Sequence, residues 1–303
     1  IFLCVYFYGG FMFTLTTDSS CDLLKSQLKE MDVPYIPLIY IIDGVSYEDR
    51  LDSDEEYIAF YKQMKEGAMP TTSQISEYAF EEFFRRTLEE RPGRDIVHLS
   101  LSGGVSGTYA NAVFAARAVS GGRSEKIYVV DTLAASQGLR LVLDRGVELR
   151  DGGMSAEEAF EKLREVSRNL HHWVILENLA HLKRGGRISA VKAAIGTMIK
   201  LKPIMVANNE GNLLVYKKVI GSAKAVAALA YGIKEHSADR TSPKVYIADT
   251  DNAPLAEKVK AAVLEVFPKA EIVMGHVGPV IGAHLGNNCV AIMFEGNGRI
   301  DIH

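Results

Sequence analysis

The chain is poor in the residues that staple a fold or span a membrane. It carries three cysteines, one tryptophan and nine prolines in 303 residues. Cys4, Cys21 and Cys289 form no CxxC pair and no even framework, which excludes a disulfide scaffold. They read as free thiols of a reducing compartment, so a cytoplasmic setting is expected. The eight histidines include no HExxH and no Cys or Asp neighbours at metal spacing, so no metal or cofactor is expected. Neither sign of charge dominates. Thirty-four Lys and Arg against thirty-eight Asp and Glu leave −4, which argues against a globally basic nucleic-acid binder. The apolar stretch Ile1–Phe13 is shorter than the roughly 20 residues of a membrane-spanning helix. It also lacks the basic flank and small-residue cleavage site of a signal peptide. No membrane span is therefore expected. Residues 1–11 are read as an upstream extension, with the native domain opening at Met12.

What is present is an ordinary globular composition, 48% hydrophobic and 24% charged, long enough for one large domain or two. From Phe13 to about residue 150, short apolar runs alternate with helical periods. The strands Phe13–Thr17, Ile96–Leu101 and Ile127–Val130 are each followed by a helix, the grammar of a largely parallel α/β sheet. Val33–Ile42 reads as one extended run placed toward an edge by Pro34 and Pro37. Pro70–Gln74 reads as a loop. Capping boxes at Ser53-x-x-Glu56 and Ser155-x-x-Glu158 open two helices. Beyond residue 168 the pattern becomes α+β. Pro203–Ala207 and Leu213–Val219 flank Asn208-Asn209-Glu210-Gly211-Asn212 as a hairpin. Leu182–Arg187 and the segment between His276 and His284 read as loops, and His171-His172 as surface or partly packed residues before a strand. The expectation is two closely packed domains, 12–168 (α/β) and 169–303 (α+β).

The segment most able to carry chemistry is Ser102-Gly103-Gly104-Val105-Ser106-Gly107-Thr108, between a strand and a helix. Helix N-termini offer unpaired N–H groups, glycines admit a ligand to the backbone, and hydroxyls add donors. The loop has no Lys, so it is not a nucleotide loop of the GxxxxGK[ST] kind. A G-x-S-x-G nucleophile elbow would need Gly at position 108. Anion binding and an ordinary capped βα turn remain open. Thr72-Ser73-Gln74 is a second hydroxyl-rich loop before a helix, and Asp18-Ser19-Ser20 ends the first strand. Loops at the carboxyl ends of parallel strands are where α/β folds hold ligands. His276 and His284 bracket a glycine-rich stretch, where a histidine either donates to an anion or bonds its own loop.

Charge is unevenly placed. Between Lys183 and Lys224 nine basic residues face only Glu210, a local +8, whereas Asp43–Glu66 carries eight acids against three bases. Such runs are solvated faces or docking surfaces for a partner of opposite sign.

These pieces together resemble the DegV family of bacterial fatty-acid-binding proteins. The resemblance rests on Thr17-Asp18-Ser19-Ser20, Thr72-Ser73-Gln74, Leu99–Ala112, Val130-Asp131-Thr132 through Gly138, Leu182–Ser189, Lys200–Ile204 and Gly275–Gly286, in the family's order. It implies a long-chain fatty acid held between two domains as ligand, with no catalysis by the chain itself. By resemblance, Thr72 and Ser106 bind the carboxylate with His284, supported by Asp18, Ser19, Ser73, Gly107, Thr108 and Arg187. It further implies an ATP-dependent fatty acid kinase as partner, which phosphorylates the carboxylate on the way to phospholipids. The chain departs from the family pattern at Asn287-Asn288, where Pro-Gly is common, and at Ile220-Gly221, where many members carry an Arg. A rival expectation is acyl hydrolysis or transfer by a Ser106 nucleophile with His284 as base. A third is a scaffold docking through the basic stretch.

Overall fold

The computed structural model describes residues 13–177, 179–187 and 201–302. Residues 1–12, including the expected start at Met12, and Ile188, Ser189, Lys192 and Lys200 of the motifs and basic stretch lie outside the described residues.

The chain opens with β1 (Phe13–Asp18), α1 (Lys25–Glu30), β2 (Tyr35–Ile36), β3 (Ile39–Ile42) and β4 (Val45–Glu48). It continues with α2 (Asp54–Lys65), β5 (Thr71–Ser73), α3 (Glu77–Glu90), β6 (Asp95–Ser100) and α4 (Thr108–Ser120). β7 (Ile127–Asp131), α5 (Gln137–Asp151) and α6 (Ala156–Asn169) follow. Then come β8 (Leu170–Ile175), α7 (Ala180–Arg184), β9 (Leu201–Ala207), β10 (Leu213–Ile220) and α8 (Ser222–His236). The last elements are β11 (Lys244–Asp249), α9 (Ala253–Val266), β12 (Glu271–His276), α10 (Pro279–Leu285) and β13 (Val290–Glu295).

The first sheet is parallel throughout, in the order β2-β1-β6-β7. A parallel sheet needs apolar residues on both faces because its crossovers cover both. β6 shows this: Val97 and Leu99 enter one core cluster and Ile96 another, on the side of Phe80 and Ala112. The second sheet runs β10-β9-β8-β13-β11-β12, with only β11 and β12 parallel. β8 alternates in the same way. Trp173 and Ile175 pack beneath Leu229 and Val259 of α8 and α9, while Val174 faces the core shared with Leu15, Leu99 and Leu139. This mixed α/β architecture, a parallel sheet followed by a second sheet of mixed type, agrees with the fold class read from sequence.

Local rules account for some of the helix starts; Ser53 stands at the N-cap of α2 but its side chain makes no capping hydrogen bond, so the expected box there is not formed. In the capping box of α6, Ser155 Oγ accepts the Glu158 N–H at 3.3 Å and Glu158 Oε2 accepts the Ser155 N–H at 3.2 Å. α9 opens with Asn252 Oδ1 accepting the Leu255 N–H at 3.3 Å. Among the described residues no helix is long and apolar enough to cross a membrane.

Four more expectations are corrected. Val33–Ile42 is not one run: β2 joins the parallel sheet, and β3 pairs with β4 and β5 in a separate antiparallel sheet. Pro70–Gln74 is not wholly loop, because Thr71–Ser73 forms β5, an element too short and polar to show a period. Leu182–Arg187 includes the end of helix α7, which stops at Gly185. The glycine-rich stretch before Gly286 contains α10, started by Pro279 at its first turn.

Candidate functional site

A cavity with about 120 Å³ open to the centres of water-sized spheres lies between the two larger sheets. Its walls come from both: Leu101 and Ala134 at the ends of β6 and β7, and Val174, Ala207, Leu213, Ala291 and Met293 from the second sheet. Among the described residues its lining includes no carboxylate and one charged side chain, Arg187.

Polar groups from three separate elements enter this lining. β5 presents Thr72, the loop before α4 presents Ser106, and α10 presents His284. Thr72 Oγ1 and His284 Nε2 share a hydrogen at 2.8 Å. Burial, then the nearby Arg187 and Arg184 guanidinium groups, push His284 down to about 4, so its ring is neutral at pH 7. Its Nδ1 has no hydrogen-bond partner. Ser106 Oγ accepts the Thr108 N–H at 3.2 Å and lies 2.9 Å from Thr108 Oγ1.

The remaining sequence-predicted residues hold this arrangement in place. The β5-to-α3 loop is fastened to the start of α4: the Ile75 N–H donates to Thr108 Oγ1 at 3.4 Å, and Asn111 Nδ2 donates to the Ile75 carbonyl at 2.8 Å. Gly107 has no side chain because a Cβ there would overlap the Gln74 amide. Arg187 Nε donates to the Val105 carbonyl at 3.1 Å, and a terminal nitrogen donates to the Gly185 carbonyl at 2.5 Å. It therefore pins the Ser106 loop to the end of α7. Ser73 lines the cavity at an exposed position.

Asp18 and Ser19 stand apart from the cavity lining. Asp18 accepts the Leu101 N–H at 2.7 Å and the Ser20 N–H at 3.0 Å, and Ser19 Oγ accepts the Leu38 N–H at 3.0 Å. Both are buried, and both fix the loops that shape the wall. The acid is raised to about 6 by its burial.

Gln74 and Ser102, members of the two hydroxyl-rich loops, also line the cavity, as do Ser136 and His172, which were not proposed as site residues. His171 and His172 lie inside β8 and are buried, not at the surface. The available signal for His172 was its place beside the continuous apolar run Trp173–Leu176, the pattern of a strand buried on both faces. Of the basic stretch, Lys202 pairs with Glu177 at 2.5 Å.

The family model described as "Uncharacterised protein, DegV family" matches residues 12–297. The chain belongs to the DegV family. A DegV domain-containing protein of Clostridium perfringens is 33% identical over 286 residues, covering 94% of this chain and 98% of its own. Among solved structures, a DegV lipid binding protein of Thermotoga maritima matches with a TM-score of 0.82 at 28% identity, covering 95% of this chain and 99% of its own. A DegV family protein of Thermus thermophilus, described by its fatty acid binding, matches at 0.83 and 28% identity, with 94% and 100% covered. In this DegV chain the residues carrying the resemblance fall into two groups. Thr72, Ser106 and His284 all line the cavity, and Asp18 and Ser19 brace the loops behind it.

Among the described residues, His284 Nε2 engages Thr72, Ser106 Oγ engages Thr108, and no carboxylate bonds the other His284 nitrogen.

Proposed function

We propose that this DegV protein binds one long-chain fatty acid, its carboxylate at Thr72, Ser106 and His284 and its tail in the apolar cavity. The observation that carries this reading is the lining itself: apolar walls with hydroxyls from two separate segments and a neutral imidazole from a third. Two hydroxyls and an imidazole can donate to a carboxylate without placing a fixed positive charge on it. Burying about 14 methylenes at roughly 0.8 kcal/mol each supplies on the order of 11 kcal/mol of gross driving force. Each charge-assisted hydrogen bond adds about 1.5–3 kcal/mol. The tail dominates affinity, and the polar groups set direction and register.

The same reading makes the chain a carrier without catalysis of its own. A carboxylate held by neutral donors keeps an oxygen able to attack a phosphoryl group, which a separate ATP-dependent kinase would supply. The Ser106 loop, having no Lys, is not built to hold ATP. Native mass spectrometry of the purified protein is expected to show one long-chain acid per chain. Repeated absence of bound lipid, including after soaking with one, would overturn the reading. Clean labelling of Ser106 by a serine-directed activity probe would favour the acyl-transfer alternative.

A further inference from the structure

The tail region of the cavity is not uniformly apolar. On the inner face of the second sheet, Val174 lies opposite Ala291 and His172 lies opposite Met293, and all four side chains line the cavity. Three are apolar, and the fourth is an imidazole one strand-step, about 7 Å, along from Val174. Neither ring nitrogen of His172 makes a hydrogen bond. The Ala135 carbonyl faces the ring without reaching hydrogen-bond geometry. Gly138 makes room for the ring, because a Cβ there would overlap Nε2. Ser136, also in the lining, turns its buried hydroxyl toward the Asp22 carboxyl group.

Unpaired buried polar atoms are rare because they forgo their hydration for nothing. The unpaired His172 ring in this cavity calls for a partner that enters with the ligand. A neutral imidazole offers one donor and one acceptor, which a hydroxyl group complements and a methylene does not. Burial, Arg299 and His171 all hold the ring neutral. Arg299 donates to the carbonyls of Asn208, Leu133 and Ser167 and does not line the cavity.

We propose that His172 is a specificity determinant for an acyl chain that carries a hydroxyl group on its hydrocarbon tail. This rests on the fatty-acid reading above. The test is competition binding of stearic acid against a positional series of monohydroxystearic acids. It uses the intact wild-type protein, His172→Leu, His172→Gln and Thr72→Ala. The wild type is expected to prefer one hydroxy isomer by tenfold or more. His172→Leu should lose that preference yet bind stearic acid at least as well, and His172→Gln should keep part of it. Thr72→Ala should weaken both acids by the same factor, separating the head from the tail. If the wild type binds stearic acid as well as every hydroxy isomer, as it would with an ordered water at His172, the proposal is overturned. Retention of the preference in His172→Leu also overturns it. Binding of neither acid class removes the fatty-acid reading itself, and this proposal with it.

Discussion

Thr72 and His284, 212 positions apart in sequence, share a hydrogen at 2.8 Å across the seam between a three-stranded sheet and a helix of the C-terminal part. The contact joins two segments that carry no visible relationship in sequence, and both residues line the cavity. The hydroxyl is supplied by a three-residue strand and the imidazole by a seven-residue helix. Neither element would be stable alone, so the pair depends on the tertiary packing that also shapes the cavity.

Removing a head-group donor should weaken binding without unfolding the chain. Ser106→Ala and His284→Ala are each expected to raise the Kd for a long-chain acid by about 10- to 100-fold, the equivalent of one charge-assisted hydrogen bond. Calorimetric titration checks this. Full-strength binding by the Ser106→Ala, His284→Ala double variant would place the carboxylate elsewhere.

Filling the tail region should discriminate by chain length. Ala291 is buried, lines the cavity and sits opposite Val174. Ala291→Phe puts a ring where the acyl chain would run. Long-chain acids are expected to lose at least 100-fold in affinity, whereas short-chain acids should lose little. Equal losses for all lengths would mean that the ring disturbs the head group instead.

Gly104 marks the closest approach of the Ser106 loop to the β9–β10 hairpin. A Cβ there would overlap the Glu210 carbonyl and the Gly211 backbone, which cannot swing aside as a side-chain end can. Gly104→Ala should cost about 1–3 kcal/mol and lower Tm by several degrees. Unchanged thermal unfolding would show that the hairpin yields freely.

A pH test isolates the buried carboxyl group of Asp22. Burial raises it from 3.8 to about 7, the Ser136 side chain and the Gly278 backbone opposing the shift. Above pH 7 the folded chain holds a desolvated charge that the unfolded chain exposes to water, so stability is gained as pH falls from 7 toward 4. Asp22→Asn mimics the protonated form, and Asn tolerates the left-handed backbone at φ 54°. The variant should melt higher than wild type at pH 8, and the difference should shrink by pH 5. A difference that grows toward pH 5 would reverse the assignment.

Long amphipathic elements were legible in the sequence because their signals are local. The Ser155–Glu158 box starts α6, and the periods of α8 and α9 gave their residue ranges directly. The parallel grammar of the first sheet was equally plain in its paired strands and helices. Short elements were not legible: β5 is three polar residues held by pairing with β3, and α10 is hidden among glycines that usually mark loops. At the site, Thr72, Ser106 and His284 were nominated by hydroxyl-rich loops and by resemblance. That Thr72 and His284 would meet depended on sheet order, which no local pattern encodes. His172 was passed over because a histidine before an apolar run looks like a strand end, and only the sheet's two covered faces show it to be inside.

The most direct measurement is a crystal structure of the protein with a long-chain acid bound. The account predicts carboxylate oxygens within hydrogen-bond distance of Thr72 Oγ1 and Ser106 Oγ, with the chain running past Val174 and Ala291. A carboxylate at the His172 side of the cavity, or a chain lying outside it, would contradict the account.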